Sequence, residues 1–282
     1  MRELFHVSGA GNDFLAFPGQ VLDADDEGLI RAWCTRGLSL GADGVFTLER
    51  GEASVRMDYW NSDGRPADLC LNGTRCAARL AFHLGWAAEE VVITTAAGDL
   101  LCRPTGPTTV AVEIPRLTTR GFASALREAT FEVEGRLWEG FFALVGVPHF
   151  VLAVDSVVGL AVEQLAPPLR RHPVFGPAGA NVDFLHVVDS HNIEVRTFER
   201  GVEGETLACG TGVLAAVATG LTIRQLELPV TARTLGGFEL TVDGQGEANP
   251  LPERWLLAGE ARILAHARLT EEAGALPVRP AW

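Results

Sequence analysis

Cys70-Leu71-Asn72-Gly73-Thr74 and Cys209-Gly210-Thr211-Gly212-Val213 are near-copies of one phrase, and each is followed by an alanine-rich apolar run that reads as a helix. A thiol just before a helix meets unpaired backbone N–H groups and the positive end of the helix dipole, roughly +0.5 charge, which draws its pKa down from about 8.5. Two thiols so placed make a candidate acid/base pair. A single cysteine would read first as a buried packing residue. The Gly-rich setting, met twice, favours the chemical reading.

The repetition extends upstream. Val55-Arg56-Met57-Asp58-Tyr59 precedes Cys70 much as Val195-Arg196-Thr197-Phe198 precedes Cys209. Gly41-Ala42-Asp43-Gly44-Val45-Phe46 pairs with Gly179-Ala180-Asn181-Val182-Asp183-Phe184, and Gly9 to Phe14 pairs more loosely with Gly146 to Phe150, at an offset of about 138. Solenoid repeats run about 20–50 residues, so a period this long means a duplicated domain. The expected fold is α+β: two similar β-rich domains, each a sheet or barrel wrapped round a central helix, related by a pseudo-two-fold that brings the two helix starts to one cleft. The boundaries read as 1–117 for the first domain and 118–262 for the second, with Pro115-Arg116-Leu117-Thr118-Thr119 as the crossover, and residues 263–282 are assigned back to the first domain only by the family resemblance set out below.

At 282 residues the chain allows about two domains of common size. A net charge of −13 repels a phosphate backbone, so nucleic acid is not expected as a partner. No run approaches the roughly 18 apolar residues needed to span a bilayer, and Met1-Arg2-Glu3-Leu4 lacks an apolar signal stretch, so the expected location is the cytoplasm. Five cysteines without a C-x-x-C pair are neither a disulfide scaffold nor a zinc or redox motif. Cys34, Cys76 and Cys102 read as packing residues.

All 23 basic residues are arginine. With no lysine, a pyridoxal phosphate Schiff base is excluded. There is no phosphate loop and no H-E-x-x-H, and Gly9-Ala10-Gly11-Asn12 lacks the third glycine of a dinucleotide fingerprint. Catalysis is therefore expected from side chains alone, with no cofactor and no metal.

Composition and alternation predict strands at Val91–Thr95, Thr109–Glu113, Phe131–Val133, Phe184–Val188 and Phe238–Val242. Helices are predicted over Gly73–Gly85 and Gly212–Gly220, each stopping at glycine and apolar on most faces, with two more at Asp25–Arg36 and Val162–Arg171. The tail from Gly274 reads as loosely held.

Several phrases together carry a resemblance: Gly11-Asn12-Asp13-Phe14, Asn61-Ser62-Asp63-Gly64, Cys70 to Cys76, Pro148-His149, Asn181-Val182, Glu199-Arg200-Gly201, and Glu205 to Gly212. In this order the chain resembles the diaminopimelate epimerase family over most of its length. The resemblance implies a cofactor-independent isomerase of diaminopimelate, with this small amino acid as its partner molecule, usually a homodimer. It places Cys70 and Cys209 as catalytic thiols. Asn12, Asn61, Asn181, Glu199 and Arg200 would bind substrate, the last two at its distal amino and carboxylate groups.

The chemistry agrees. An α-proton is weakly acidic, so its removal needs a base in contact, exclusion of water and stabilisation of the carbanion. Inversion needs a base on one face and an acid on the other, which a thiolate and a thiol supply. Backbone N–H groups of Leu71, Asn72, Gly210 and Thr211 would hold the substrate carboxylate and its developing charge. The guanidinium of Arg200 suits a bidentate carboxylate. Blander readings stand beside these: turn chemistry for Asn61, a strand-end ion pair for Glu199 and Arg200, and a structural role for His149.

Departures from the family pattern are Val147 where asparagine is usual, Leu71 where glycine commonly follows the first cysteine, Gly44 for a common glutamine, and an extra residue within Gly201 to Glu205. They fall mainly on the distal end of the substrate and leave open a racemase of another amino acid, such as histidine or another basic one. A silent binding protein would be expected to lose a cysteine, and neither is lost. Thiol oxidoreductase chemistry is a further reading, in which a Cys70–Cys209 disulfide would be an inactivated form.

Overall fold

The computed structural model describes residues 1–115, 126–246 and 251–275. The chain divides into two compact units, Met1–Val112 with Glu260–Trp282, and Glu113–Gly259.

The first unit is built on β1 (Arg2–Gly9), β2 (Asn12–Pro18), β3 (Gly44–Arg50), β4 (Val55–Asn61), β5 (Val91–Thr95), β6 (Gly98–Gly106) and β7 (Thr109–Pro115). β1 pairs antiparallel with β2, β2 parallel with β3, β3 antiparallel with β4, β4 parallel with β5, and β5 antiparallel with β6. The strand Arg262–Leu269, β17, closes on the other edge of β1, antiparallel. Phe14, Leu15, Ala16 and Phe17 in β2 are all buried, as expected of a strand covered on both faces. α1 (Glu27–Cys34) covers one face, packing Ile30 and Trp33 against Leu15 and Phe17. α2 (Leu71–His83) occupies the other, lying against β1, β2, β4, β5, β6 and β17.

The second unit is built on β8 (Arg127–Val133), β9 (Arg136–Val145), β10 (Val147–Ala153), β11 (Asn181–Asp189), β12 (Asn192–Glu199), β13 (Gly204–Thr206), β14 (Val230–Thr234), β15 (Glu239–Gln245) and β16 (Arg254–Glu260). β9 pairs antiparallel with β10, β10 parallel with β11, β11 antiparallel with β12, β12 parallel with β14, and β14 antiparallel with β15. This is the pairing series of β1 to β6. α3 (Val162–Arg170) and α4 (Gly210–Thr222) stand where α1 and α2 stand in the first unit, and α4 lies against β9, β10, β11, β12 and β15. Each unit is a strand-rich sheet wrapped round one buried helix, which is the α+β fold expected.

Matching registers align the copies. Phe14 lies opposite Gly44, and Phe150 opposite Val182, so Asp13 and His149 occupy equivalent places.

The predicted strands are present: Val91–Thr95 as predicted, those at 109, 131 and 184 extended at their ends, and the last running Glu239–Gln245, one residue later than its predicted start. The helices need correction. α2 starts at Leu71 and stops near Gly85, whose φ of +69° is the left-handed conformation expected of a terminating glycine. α4 runs through Gly220 to Thr222, and the left-handed residue is Arg224, at φ +57°. Gly220 serves packing instead, since a Cβ there would overlap the Leu226 side chain. The helix predicted over Asp25–Arg36 is a 3-10 turn, Ala24–Asp26, followed by α1. Residues 116–119 of the expected crossover and the tail beyond residue 275 lie outside the described residues. Among the described residues no helix is long and apolar enough to cross a membrane.

Candidate active site

In the first unit, Cys70 is the N-cap of α2, with extended backbone (φ −139°, ψ 105°), and its Sγ accepts the Gly73 N–H at 3.4 Å. The thiol thus takes the place usually held by a Ser or Asp oxygen, satisfying one of the N–H groups a helix leaves unpaired at its start. The Leu71 and Asn72 N–H groups precede the first intrahelical bond, from Thr74 N–H to Cys70 O at 2.8 Å.

Asn12 reaches this thiol because β1 and β2 are joined by Ala10 and Gly11 alone, at φ +55° and +83°. Two left-handed residues make a type I′ hairpin turn, and Asn12 opens the returning strand. Asn12 Nδ2 donates to Asp43 Oδ2 at 2.7 Å, while its Oδ1 accepts from Cys70 Sγ at 3.8 Å and from Asn72 Nδ2 at 3.5 Å. Asn72 Oδ1 in turn accepts from Arg75 Nη2 at 2.7 Å. Alongside, Asp13 is bound by His6 at 2.8 Å and by Arg36. Burial alone would raise its carboxyl, but those two partners outweigh burial and hold it at about 2.

In the second unit, Cys209 caps α4 in the same way (φ −119°, ψ 109°), accepting the Gly212 N–H at 3.4 Å, with Thr211 Oγ1 also 3.4 Å from the sulfur. Its surroundings differ. The Glu199 carboxyl, at the end of β12, accepts from Thr206 Oγ1 at 2.6 Å and lies close enough to Cys209 for its charge to act on the thiol. Asp183 lies beneath the helix start, accepting from His149 Nδ1 and from Thr197 Oγ1, each at 2.7 Å. His149 Nε2 faces Asn181 Nδ2 at 3.5 Å, and Asn181 Oδ1 accepts the Arg200 N–H at 2.8 Å. One chain of hydrogen bonds thus runs from β12 through β11 and β10 to Arg200. The Arg200 guanidinium makes no ion pair or hydrogen bond among the described residues.

Burial pushes the Cys209 thiol well above its ordinary value, and the negative charges of Glu199 and Asp183 push it further, against the smaller pull of Thr211 and the Gly212 N–H. This corrects the expectation that both helix starts lower their thiols. The dipole and one N–H, worth about 0.3–1 kcal/mol, lose to desolvation beside two carboxylates. Burial also raises the Glu199 carboxyl.

The structure therefore gathers Asn12, Asn72 and Cys70 in one cluster, with the Leu71 backbone. It gathers Asn181, Glu199, Cys209, Gly210 and Thr211 in the other, next to Arg200. Asn61 joins neither by a hydrogen bond among the described residues. It accepts from Tyr59 Oη at 3.1 Å, and its carbonyl closes the turn to Gly64 at 2.9 Å. Cys34, Cys76 and Cys102 are buried.

Sequence reasoning passed over Asp183, Thr197 and Arg75. The duplication held the signal: Asp183 stands opposite Val45 in the aligned copies, and Arg75 opposite Leu214. A charge at a place where the twin carries an aliphatic residue marks a buried polar group with a task.

Two copies of one unit, each presenting a cysteine at the start of its buried helix, share their fold with solved racemase and epimerase structures. The hydroxyproline epimerase structure from Agrobacterium vitis has this fold, with a TM-score of 0.68 at 16% identity, covering 100% of this chain and 98% of that one. Residues 5–114 and 141–254 match the diaminopimelate epimerase family, and the chain belongs to it. The diaminopimelate epimerase of Gemmatimonas aurantiaca is 38% identical over 84% of this chain and 86% of its own length. That of Aquifex aeolicus is 34% identical over 96% and 98%.

Proposed function

We propose that the protein interconverts the LL and meso isomers of diaminopimelate, a step toward lysine and peptidoglycan precursors, by moving one proton at an α-carbon with two thiols and no cofactor. The observation that supports this best is the pair of equivalent cysteine caps, one per unit, in a chain that matches the family across both units.

In one direction the Cys70 thiolate takes the α-proton. The C–H bond breaks, an S–H bond forms, and the electron pair stays on the α-carbon, delocalised into the carboxylate. The Cys209 thiol then gives its proton to the opposite face, and the C–H bond formed there inverts the centre. In the other direction the roles exchange. The substrate carboxylate is held by the N–H groups of Leu71, Asn72, Gly210 and Thr211, where the two helix dipoles favour the charge that develops. Asn12, Asn61, Asn181 and Glu199 bind the polar groups around the reacting carbon, and Arg200 takes the distal carboxylate. Cytoplasmic location and a homodimer complete this reading, the latter tested by mass in solution.

The test is deuterium incorporation at Cα from heavy water under reducing conditions. Exchange with both LL and meso diaminopimelate, accompanied by their interconversion, is expected. Val147, half-buried at the start of β10, motivates a second reading as a racemase of another amino acid. Exchange confined to histidine or another basic amino acid would favour that reading, and exchange with none would refute both.

A further inference from the structure

The loop that carries Arg200 joins β12 to β13, whose residues Glu199 and Gly204 lie opposite each other. It falls in the stretch that is one residue longer than the family pattern, and Gly201, Val202 and Glu203 are exposed. Exposed loops are ordinarily the mobile parts of a fold. In this one, Gly201 and Glu203 are left-handed, at φ +91° and +57°, and a non-glycine residue keeps that conformation where its surroundings determine it. The surroundings are those of α3. Glu203 Oε1 accepts from Arg170 Nε at 2.8 Å, from Arg170 Nη2, and from the Gly201 N–H at 3.2 Å, while its Oε2 accepts from Arg171 Nη2 at 2.7 Å. Past the loop, the Glu205 N–H donates to Glu163 Oε1 in the first turn of the same helix, at 2.7 Å.

Arg170 is the last residue of α3, and its side chain is only 13% exposed. It also holds the segment that leads to Asn181. The Ala180 N–H donates to the Arg170 carbonyl at 3.1 Å, and a Cβ on Gly179 would overlap that carbonyl. Asn181 Oδ1 accepts the Arg200 N–H at 2.8 Å. These contacts close a ring that runs from Arg170 through Ala180 and Asn181 to Arg200, then through Glu203 back to Arg170. The fold does not require the charge. In the first unit Cys34 ends α1 as Arg170 ends α3, and its carbonyl accepts the Ala42 N–H at 3.2 Å in the same way. The backbone bond is common to both copies, and the ion pair belongs to the copy that carries Arg200.

We propose that Arg170 and Glu203 are positioning residues that fix the Arg200 loop against α3, so that the Arg200 guanidinium stands ready for the distal carboxylate before substrate binds. An exposed ion pair contributes little by attraction alone. This one gives direction, because the guanidinium fork is largely screened from water and grips the carboxylate through two nitrogens. A loop ordered in advance loses less freedom on binding. The effect of the pair therefore falls on substrate affinity, and proton transfer at the α-carbon is left to the thiols.

The inference rests on the reading of Arg200 as the distal anchor, and its first measurement needs no substrate, so the two can fail separately. Hydrogen exchange of the Arg200 and Gly201 amides is followed in the free protein. Glu203→Gln removes the charge and keeps the shape, and exchange at these two amides should quicken about tenfold while the amides of β11 and β12 are unmoved. Arg170→Met, which keeps the carbonyl bond to Ala180, should do the same, and the double variant should be no faster than either single one, because both remove one contact. In turnover of diaminopimelate, Glu203→Gln should raise KM about three- to tenfold with kcat within about twofold of the parent. Unmoved amides in Glu203→Gln, an unchanged KM beside faster amides, or a fall in kcat at constant KM overturns the proposal. Should Arg170→Met not fold, Glu203→Gln, a change at an exposed side chain, decides alone. A parent inert toward diaminopimelate whose loop amides respond as expected would refute the substrate and leave the pair its role in holding Arg200.

Discussion

Gly73 and Gly212 are the third residues of α2 and α4, equivalent in the duplication, and alanine at each should give opposite results. A Cβ at Gly73 would meet Met57 Cε at 3.1 Å, the free end of a flexible side chain, and Cys70 Sγ at 3.6 Å, an ordinary contact. A Cβ at Gly212 would overlap Asp183 Oδ1 outright and come within 2.8 Å of Thr197 Oγ1. Neither atom is free to yield, because Asp183 is bound by both His149 and Thr197. Alanine in place of a helical glycine gains about 0.5–1 kcal/mol, so Gly73→Ala should leave stability unchanged or slightly raised. Gly212→Ala sacrifices one or both bonds to a buried carboxylate, at about 1.5–3 kcal/mol each. The net loss is about 2–4 kcal/mol, or roughly 5–15 °C in melting temperature for a protein of this size. Calorimetry of the two variants beside the parent measures the difference. Equal melting temperatures, or a loss confined to Gly73→Ala, would refute the claim that Asp183 is packed rigidly under α4.

Arg200→Ala should abolish turnover of a dicarboxylate substrate with little change in melting temperature, because its guanidinium holds no other side chain among the described residues; unchanged kinetics would remove its role as anchor. Cys70→Ser and Cys209→Ser should each lose most epimerisation, since a hydroxyl does not ionise near neutral pH. The two should retain opposite stereochemical preference in residual proton exchange, and the same preference in both would refute two bases. Burial raises the Glu199 carboxyl from its ordinary value near 4.5, so the unfolded chain releases this proton first and stability is lost as pH climbs through that window. Glu199→Gln should flatten the urea midpoint against pH there, and removal of the charge should let Cys209 ionise at lower pH. An unaltered pH dependence would show that Glu199 is not held in an apolar setting.

Much was legible in the sequence because the duplication speaks through local patterns. Residues near Cys70 and Cys209 show glycine-rich caps, alanine-rich helices and strand alternation, all set by neighbours a few positions away. From these come two domains, one central helix each, and a thiol at each helix start. Helix ends were less legible, because Gly220 resembles a stop and is instead a close contact with Leu226, a residue of the following loop. The resemblance to a family named the candidate substrate-binding residues, and the hairpin Ala10-Gly11 shows why Asn12 stands beside Cys70.

The sequence by itself determined the fold, the repeat and the pair of thiols, since helix caps and periodicity are short-range properties. Only the tertiary structure decided how the thiols differ. A pKa depends on burial and on charges brought close through space, and Asp183 and Glu199 act on the Cys209 sulfur through the packing of strand and helix. Two cysteines in nearly identical phrases thus meet different surroundings, Cys70 beside the Asn12 amide and Cys209 beside the carboxyls of Glu199 and Asp183.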